Sequence, residues 1–463
     1  MPRVGQPKPD DARRLRDQVA LGVLTATFPP ALVDSVVQDV GRGEQRYRLL
    51  PARLVVYYVL AMTLFREAGY EEVLRELTEG LSIPGEPSAS LEVPSSVAIS
   101  KARTRLGREP LEALFQRGCR PLATSETKGA FYRGWRLVSM DGSTLDVPDS
   151  PSNEAAFGRP GSARGEGAAF PQLRIVALAE CGTHAMFAAA MGKYSTGEST
   201  LAKSLCGALD KSMLVLADRG FTAHPLFSAM AATGAQLCWR AKGNAVLPVL
   251  ERHEDGSFRS ELVASDDKTA RKHVISVRVV EYAIEDPGRP QAEETTYRLV
   301  TTVLDPLAAP ARELAGIYAQ RWEFESALDE LKTHQRGSRV VLRSKVADGV
   351  YQEAWGMLCV HYAIRALMAS TADEGGVDPD RLSFTRSVRA ARRSVRRSVE
   401  DLASSVSRAS VEILHELLPH RRLRSNARVV KRKMSNYALK RSVHRSWPQP
   451  TISTAQAIRV LGT

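Results

Sequence analysis

Apolar and polar positions change their period along this chain, and each change marks a different kind of element. Residues 18–82 repeat at helical spacing. They hold an apolar-periodic segment from Val19, a twelve-residue apolar run from Leu54 to Phe65, and a further stretch from Tyr70 to Leu81. A Ser-rich break with Pro84, Gly85, Pro87 and Pro94 follows. After it the pattern predicts a helix starting at Ser95 or Ser96 and carrying Lys101, Arg103, Arg105 and Arg108, which either track phosphates or are merely solvated.

From Phe131 the period shortens to that of strands. Strands are expected at Trp135–Met140, Leu173–Ala179, Ala185–Ala190, Met213–Ala217 and Leu237–Ala241, with helical stretches at 200–209 and 224–233. Short strands at Lys272–Val280 and Thr296–Val303 fall in a further β-rich region, 245–305. A long helix from Arg312 to about His334 and an apolar helix around Ala354–Met368 come next, and Gly375 with Gly376 marks a linker. Strand runs interleaved with helices predict a mixed α/β layer in which helices pack on a sheet. The chain divides on this reading into a flexible N-terminus (1–17), a helical domain (18–125), an α/β domain (126–372) and a basic C-terminal region (373–463).

Composition narrows the class. A chain of 463 residues with 43% hydrophobic and 25% charged residues has the profile of a soluble globular protein of more than one domain. The longest apolar run is too short to span a bilayer, and no apolar stretch follows the basic residues near the start, so no membrane segment or secretory signal is expected. Five widely spaced cysteines without a C-x-x-C pair argue against a disulfide framework or a zinc site and for a reducing compartment. Net charge is +12, yet residues 381–445 alone hold 18 Lys/Arg against four Asp/Glu, so the basic excess is confined to the C-terminal part. Segregated positive charge of this kind meets a polyanion or forms a solvated helix face.

Two acids close apolar strands, in Ser139-Met140-Asp141-Gly142 and Leu216-Ala217-Asp218-Arg219-Gly220. A carboxylate leaving a buried strand is held rigidly while its head reaches beyond the sheet edge. That suits a hard divalent cation, which takes oxygen ligands and few of them from protein. Taken singly, each Asp also fits an ordinary strand-to-turn transition. The expected late helix adds Tyr318, Arg321, Glu325 and Lys332, spaced Y-x2-R-x3-E-x6-K. At ~100° per residue these four share one narrow stripe bordering the apolar face, a pattern that incidental i,i+4 pairing does not predict. Glu323 and Glu330 point elsewhere on this reckoning, whereas Asp329 competes with Glu325 and spacing alone does not separate them.

D-G-[ST] after one strand, D-R-G-F after another and Y-x2-R-x3-E-x6-K on a late helix resemble the insertion-element-four type of bacterial DDE transposases. The stretch through Arg105-Leu106-Gly107 and Leu114-Phe115 is similar to that family's N-terminal domain, and residues 131–370 resemble its catalytic domain. The resemblance implies an RNase H-like core with a β-rich insertion between the second Asp and the Glu, a helical N-terminal domain that binds transposon ends, and a helical basic C-terminal region. It implies a metal triad of Asp141, Asp218 and Glu325 on two divalent ions, Mg²⁺ or alternatively Mn²⁺. It further implies that Tyr318, Arg321 and Lys332 contact end DNA near the scissile phosphate and that Trp322 stacks on a base. Where family members hold a flipped base with a tryptophan of the insertion, this chain offers Tyr297, which leaves the hairpin step open; a tyrosine can also stack. Arg219, Arg240 and Lys242 are further candidate phosphate contacts.

The implied activity is cleavage of double-stranded DNA at transposon ends and strand transfer into target DNA, by a homodimer in the DNA complex, in a bacterial cytoplasm and associated with the nucleoid. The rival readings are a metal-dependent nuclease that cuts without joining and a catalytically inactive, transposase-derived DNA-binding protein.

Overall fold

The computed structural model describes residues 22–46, 48–78, 93–161, 168–264, 273–285, 296–337, 341–395, 402–419, 429–430, 438–442 and 452–462. In chain order the helical start comprises α1 (Val23–Thr27), α2 (Pro30–Asp39), α3 (Ala52–Leu64), α4 (Tyr70–Thr78), α5 (Ser96–Leu106) and α6 (Glu109–Gly118). Next come β1 (Phe131–Tyr132), β2 (Trp135–Asp146), α7 (Pro151–Phe157), β3 (Gln172–Glu180), β4 (Met186–Lys193) and α8 (Glu198–Lys203). They are followed by β5 (Met213–Ala217), α9 (His224–Ala231), β6 (Gln236–Arg240), β7 (Glu251–Arg252), β8 (Phe258–Val263), β9 (Val274–Ile284) and β10 (Tyr297–Thr301). The remainder is α10 (Ala311–Tyr318), α11 (Trp322–Asp329), α12 (Ala347–Gly375), α13 (Phe384–Val395), α14 (Leu402–Leu414), β11 (Val429–Val430), β12 (Ala438–Leu439), α15 (Thr454–Ala457) and β13 (Ile458–Val460).

These elements form two compact units, each discontinuous in sequence. The helical unit takes residues up to Phe131, then Gly142–Leu205 and Glu323–Pro419. Its spine is α12, against which α3 packs with nearly every residue buried. Each fully buried Leu, Val or Tyr there contributes about 1.5–3 kcal/mol. The two helices approach closely at Gly356, where a Cβ would stand 3.0 Å from Val59 Cγ1. Ser95 caps α5 by accepting from Ala98 N, as the sequence suggests.

α5 ends at Leu106 with Gly107 as its cap, so Arg108 lies beyond it, at the start of α6, and the basic side chains of this segment depart from the sequence reading. Arg103 is buried: it pairs with Glu353 at 3.5 Å and donates to Gln352, Tyr70 and Ser344. Arg105 donates to Leu50 O, and Arg108 lies over the Tyr351 ring. A guanidinium can satisfy several buried acceptors at once, so Arg103 staples helices together, while Lys101 and Arg105 are exposed and Arg108 is half-buried. The expected linker at Gly375–Gly376 is instead a helix terminus, with Gly376 in the left-handed conformation that ends α12. In the basic C-terminal stretch, Arg386 and Arg393 pair with Glu416 and Glu412 of the same unit, and Arg392 donates to Leu64 O. Two of its arginines are therefore neutralised locally, while 420–428, 431–437 and 443–451 lie outside the described residues, as does 1–21.

The sheet unit takes Tyr132–Asp141, Cys206–Trp322 and His420–Thr463. Its strands run β2-β5-β6-β10-β9-β8-β7, with β13 added along β9. β2, β5 and β6 are parallel, and α9 makes the β5-to-β6 crossover. From β10 onward the pairing is antiparallel. The β-rich region is thus continuous with the parallel strands and extends their sheet through the β6–β10 ladder. A mixed α/β fold with an RNase H-like core and helical regions follows the sequence expectation. Among the described residues no helix is long and apolar enough to cross a membrane.

The expected single helix at 312–334 is broken. α10 gives way to a 3-10 turn at Ala319–Arg321, α11 follows, and Glu330–Gln335 is a π-helix closed by Arg336 N donating to Leu331 O at 3.1 Å. Uniform turning at ~100° per residue therefore fails across this segment.

Candidate active site

β5 is buried along its whole length because Met213-Leu214-Val215-Leu216-Ala217 has no polar side chain, the pattern of a parallel strand covered on both faces. It pairs with β2 from Arg136 opposite Met213 to Met140 opposite Ala217. Asp141 and Asp218 are the next residues on the two strands, so the register carries their carboxylates out side by side at one sheet end. Asp141 is not the end of its strand, as the sequence suggested. β2 continues to Asp146, and it is the neighbouring β5 that stops. Beyond Asp218 the chain turns back at once: Phe221 N donates to Asp218 O at 3.1 Å, and the buried Phe221 ring pins the turn.

Asp218 is half-buried, and its Oδ1 is shielded from solvent with no hydrogen-bond partner among the described residues. A buried acceptor left unmade costs about 1–3 kcal/mol, more when charged, so an oxygen of this kind is complementary to a cation. Arg321 is buried, with Nη1 3.6 Å from Asp141 Oδ2. The Tyr318 hydroxyl donates to Ala217 O at 3.4 Å, one residue before Asp218. Burial pushes the Tyr318 phenol far up, with Arg321 opposing the rise and Asp218 adding to it, so the ring keeps its proton as a donor. Asp141, Asp218, Tyr318 and Arg321 therefore gather in the sheet unit. No group of three His, Cys, Asp or Glu side chains forms a ready metal cage among the described residues. The two adjacent carboxylates suit a hard divalent ion that keeps several waters.

Other sequence candidates occupy the same unit. Arg240, at the end of β6, holds its guanidinium 4.5 Å above the Tyr297 ring, and Tyr297 stacks on Tyr282 with centroids 5.1 Å apart and planes at 17°. The Tyr297 ring is thus already engaged by Tyr282 and Arg240. Arg219 and Lys242 are exposed just past the ends of β5 and β6. The Trp322 side chain lies outside the described residues.

Glu325 and Lys332 belong to the helical unit. Glu325 is half-buried, and Lys332 Nζ donates to Ser143 Oγ at 2.8 Å. Ser143 stands two residues after Asp141 on β2 and so shares its face. Sequence reasoning passed over it; the signal was its place in the D-G-[ST] motif. Asp329, the competitor of Glu325, is exposed and engaged with its own helix: Thr333 Oγ1 donates to it at 2.7 Å, and His334 Nε2 lies 3.3 Å away. Glu330, read as pointing away, is buried against Arg365, His184 and His361.

Residues 18–116 match the family model for the insertion element 4 transposase N-terminal domain, and residues 133–363 match that for the transposase DDE domain. The transposase InsG for insertion sequence element IS4 of Escherichia coli K12 is 28% identical over 425 residues, spanning 88% of this chain and 91% of its own. The putative transposase InsZ of the same organism is 24% identical over 194 residues, which are 42% of this chain and 62% of that one. Among solved structures, the piggyBac transposase synaptic complex with hairpin DNA aligns over 86% of this chain and 83% of its own. At 10% identity and a TM-score of 0.41 that likeness is too loose to argue from.

Proposed function

This chain belongs to the DDE transposases of the insertion-element-four type, and we propose that Asp141, Asp218 and Glu325 are the carboxylates holding its metal. The family makes it an enzyme of DNA transposition whose DDE chemistry depends on a divalent metal ion. Two ions, Mg²⁺ in the first instance, would activate the attacking oxygen and stabilise the leaving one during in-line displacement at phosphorus. The observation that carries the assignment is the pairing of Asp141 and Asp218 across the β2–β5 register, with a buried Asp218 oxygen that no donor among the described residues satisfies. Glu325 is preferred as third carboxylate because Asp329 is turned to solvent and tied to Thr333 and His334.

The chain's own groups divide the remaining work. Arg321 sits against Asp141 and offers a fork for a phosphate oxygen once metal takes over that carboxylate. Lys332, steered by Ser143, contributes a point charge to a neighbouring phosphate. Tyr318 stays protonated and props the end of β5. Arg219, Arg240 and Lys242 extend a positive track along the DNA, and Trp322 supplies a stacking surface for an unpaired base, as does Tyr297 when a base displaces the Arg240 guanidinium from its ring. The reaction is cut-and-paste: cleavage at the element's ends, then joining of the freed 3′-hydroxyl to target DNA. It is carried out in the bacterial cytoplasm at the nucleoid by a homodimer that pairs two ends. The N-terminal domain (18–125) reads the ends, residues 126–372 perform the chemistry, and the basic C-terminal region adds affinity without sequence preference.

The test is cleavage and strand transfer on DNA carrying the element's own ends, with Mg²⁺, in wild type and Glu325→Gln. Metal-dependent nicking and joining that vanish in the variant while binding persists support the reading. Binding without chemistry in both proteins would make the chain a regulator, nicking without joining would make it a nuclease, and chemistry surviving the substitution would move the third ligand to Asp329.

A further inference from the structure

Glu330 is fully buried in the helical unit, five residues after Glu325 and two before Lys332. Arg365 of α12 grips it at both oxygens, with Nε 2.9 Å from Oε2 and Nη2 on Oε1. His184 Nδ1 stands 3.5 Å from Oε1 and His361 Nε2 3.4 Å from Oε2, while the far nitrogen of His184 faces Asp380 at 3.3 Å. Phe384 closes the cluster, lying against both His361 and Arg365. None of these groups is part of the proposed metal site.

The position of the cluster is what gives it consequence. Glu330 opens the π-helical segment, and Gln335 closes it by donating to Met357 O at 2.9 Å. Both ends of the segment are therefore tied to α12, and Lys332, between them, reaches Ser143. In a π turn each residue advances by less than the ~100° of an α-helix. Lys332 is therefore rotated away from the azimuth that unbroken α-helix would give it relative to Glu325. Such segments are rare and need external support. A buried carboxylate adds little net stability over a well-packed apolar side chain, but it accepts only from donors in fixed directions.

We infer that Glu330 is a positioning residue for the transposition reaction: its buried cluster with Arg365, His184 and His361 fixes the α-to-π switch that aims Lys332 relative to Glu325. This rests on the assignment of Glu325 and Lys332 to the reaction made above. It assigns Glu330 no contact with metal or DNA.

The experiment compares wild type, Glu330→Gln, the apolar replacement Glu330→Met/Arg365→Met, Lys332→Ala, and Glu330→Gln combined with Lys332→Ala. For each, the melting temperature, the affinity for end DNA and the single-turnover cleavage rate are measured. The apolar double variant keeps its fold and its end affinity but cleaves about tenfold or more slowly. Glu330→Gln slows wild type by a similar factor and slows Lys332→Ala much less, because both changes remove the same aimed ammonium. A folded Glu330 variant that cleaves at the wild-type rate overturns the inference. So does a loss that multiplies in full with that of Lys332→Ala, since general loosening of the fold would act independently. Failure of the functional reading itself is distinguishable, because wild type would then show no metal-dependent cleavage at all.

Discussion

Asp141 and Asp218 extend from strands whose apolar side chains are buried, and backbone ladder bonds set their relative height. Glu325 and Lys332 instead ride on a segment that passes from 3-10 to α to π geometry, and side-chain ties place it. The first arrangement is local and repetitive: once Met140 faces Ala217, the next pair has no freedom. The second depends on Arg365, His184, His361 and Ser143, drawn from α12, the β3–β4 connection and β2. A ladder tolerates conservative change at any one rung, whereas a cluster of buried charges fails when one member is removed.

That contrast is open to test. Asp141→Asn or Asp218→Asn should reduce metal-dependent cleavage by about a thousandfold or more while leaving the melting temperature near wild type, since a carboxylate that binds metal supplies several kcal/mol to the barrier. Retained cleavage in either variant would break the pairing argument. The reverse signature is expected at the other buried ion network. Arg103→Met, which removes the buried cation beside Glu353 and leaves its carboxylate only the Arg343 N and Ser344 Oγ donors, should cost about 3–5 kcal/mol in urea unfolding. If end binding falls with no loss of stability, the helix α5 arginine is a DNA contact after all.

Smaller effects sharpen the picture. Lys332→Ala should slow cleavage by about 10–100-fold and Ser143→Ala by only a few fold, because the serine orients the ammonium without carrying charge. A Ser143→Ala loss as large as that of Lys332→Ala would make the hydroxyl itself a contact. Burial raises the Glu330 carboxyl, but Arg365 and His184 more than offset this and hold it well below its ordinary value. Its charged pairing therefore stabilises the protein above the unfolded value of ~4.3 and is lost as pH falls below that. The stability gap between wild type and Glu330→Gln should be widest at neutral pH and close on acidification. A gap that widened towards acid would contradict the sign. Arg42→Ala, which removes an exposed pair with Glu109 at 3.2 Å, should change stability by less than about 1 kcal/mol.

The strands were legible because their signals are local. Met213–Ala217 was delimited from five apolar residues between polar ones, and the helix at Ser96 from a serine cap before an amphipathic run. What escaped was anything decided by a distant partner. Asp141 reads as a strand end because Gly142 follows it, yet β2 continues for five more residues and only β5 stops. Arg103 reads as surface charge because nothing nearby in sequence announces Glu353. The 312–334 segment reads as one helix because its period is nearly regular, and no local breaker reveals the shift to π geometry.

The sequence by itself determined the family, the mixed α/β architecture and the identity of the acidic and basic residues proposed for the chemistry, since motif spacing and hydrophobic period are written into the chain. Only the tertiary structure decided that Asp141 and Asp218 stand on adjacent parallel strands, that Asp329 turns to solvent, and that Glu330 is buried among Arg365, His184 and His361. Register, burial and ion pairing depend on which remote segments meet, and a periodicity that repeats every few residues carries no record of that meeting.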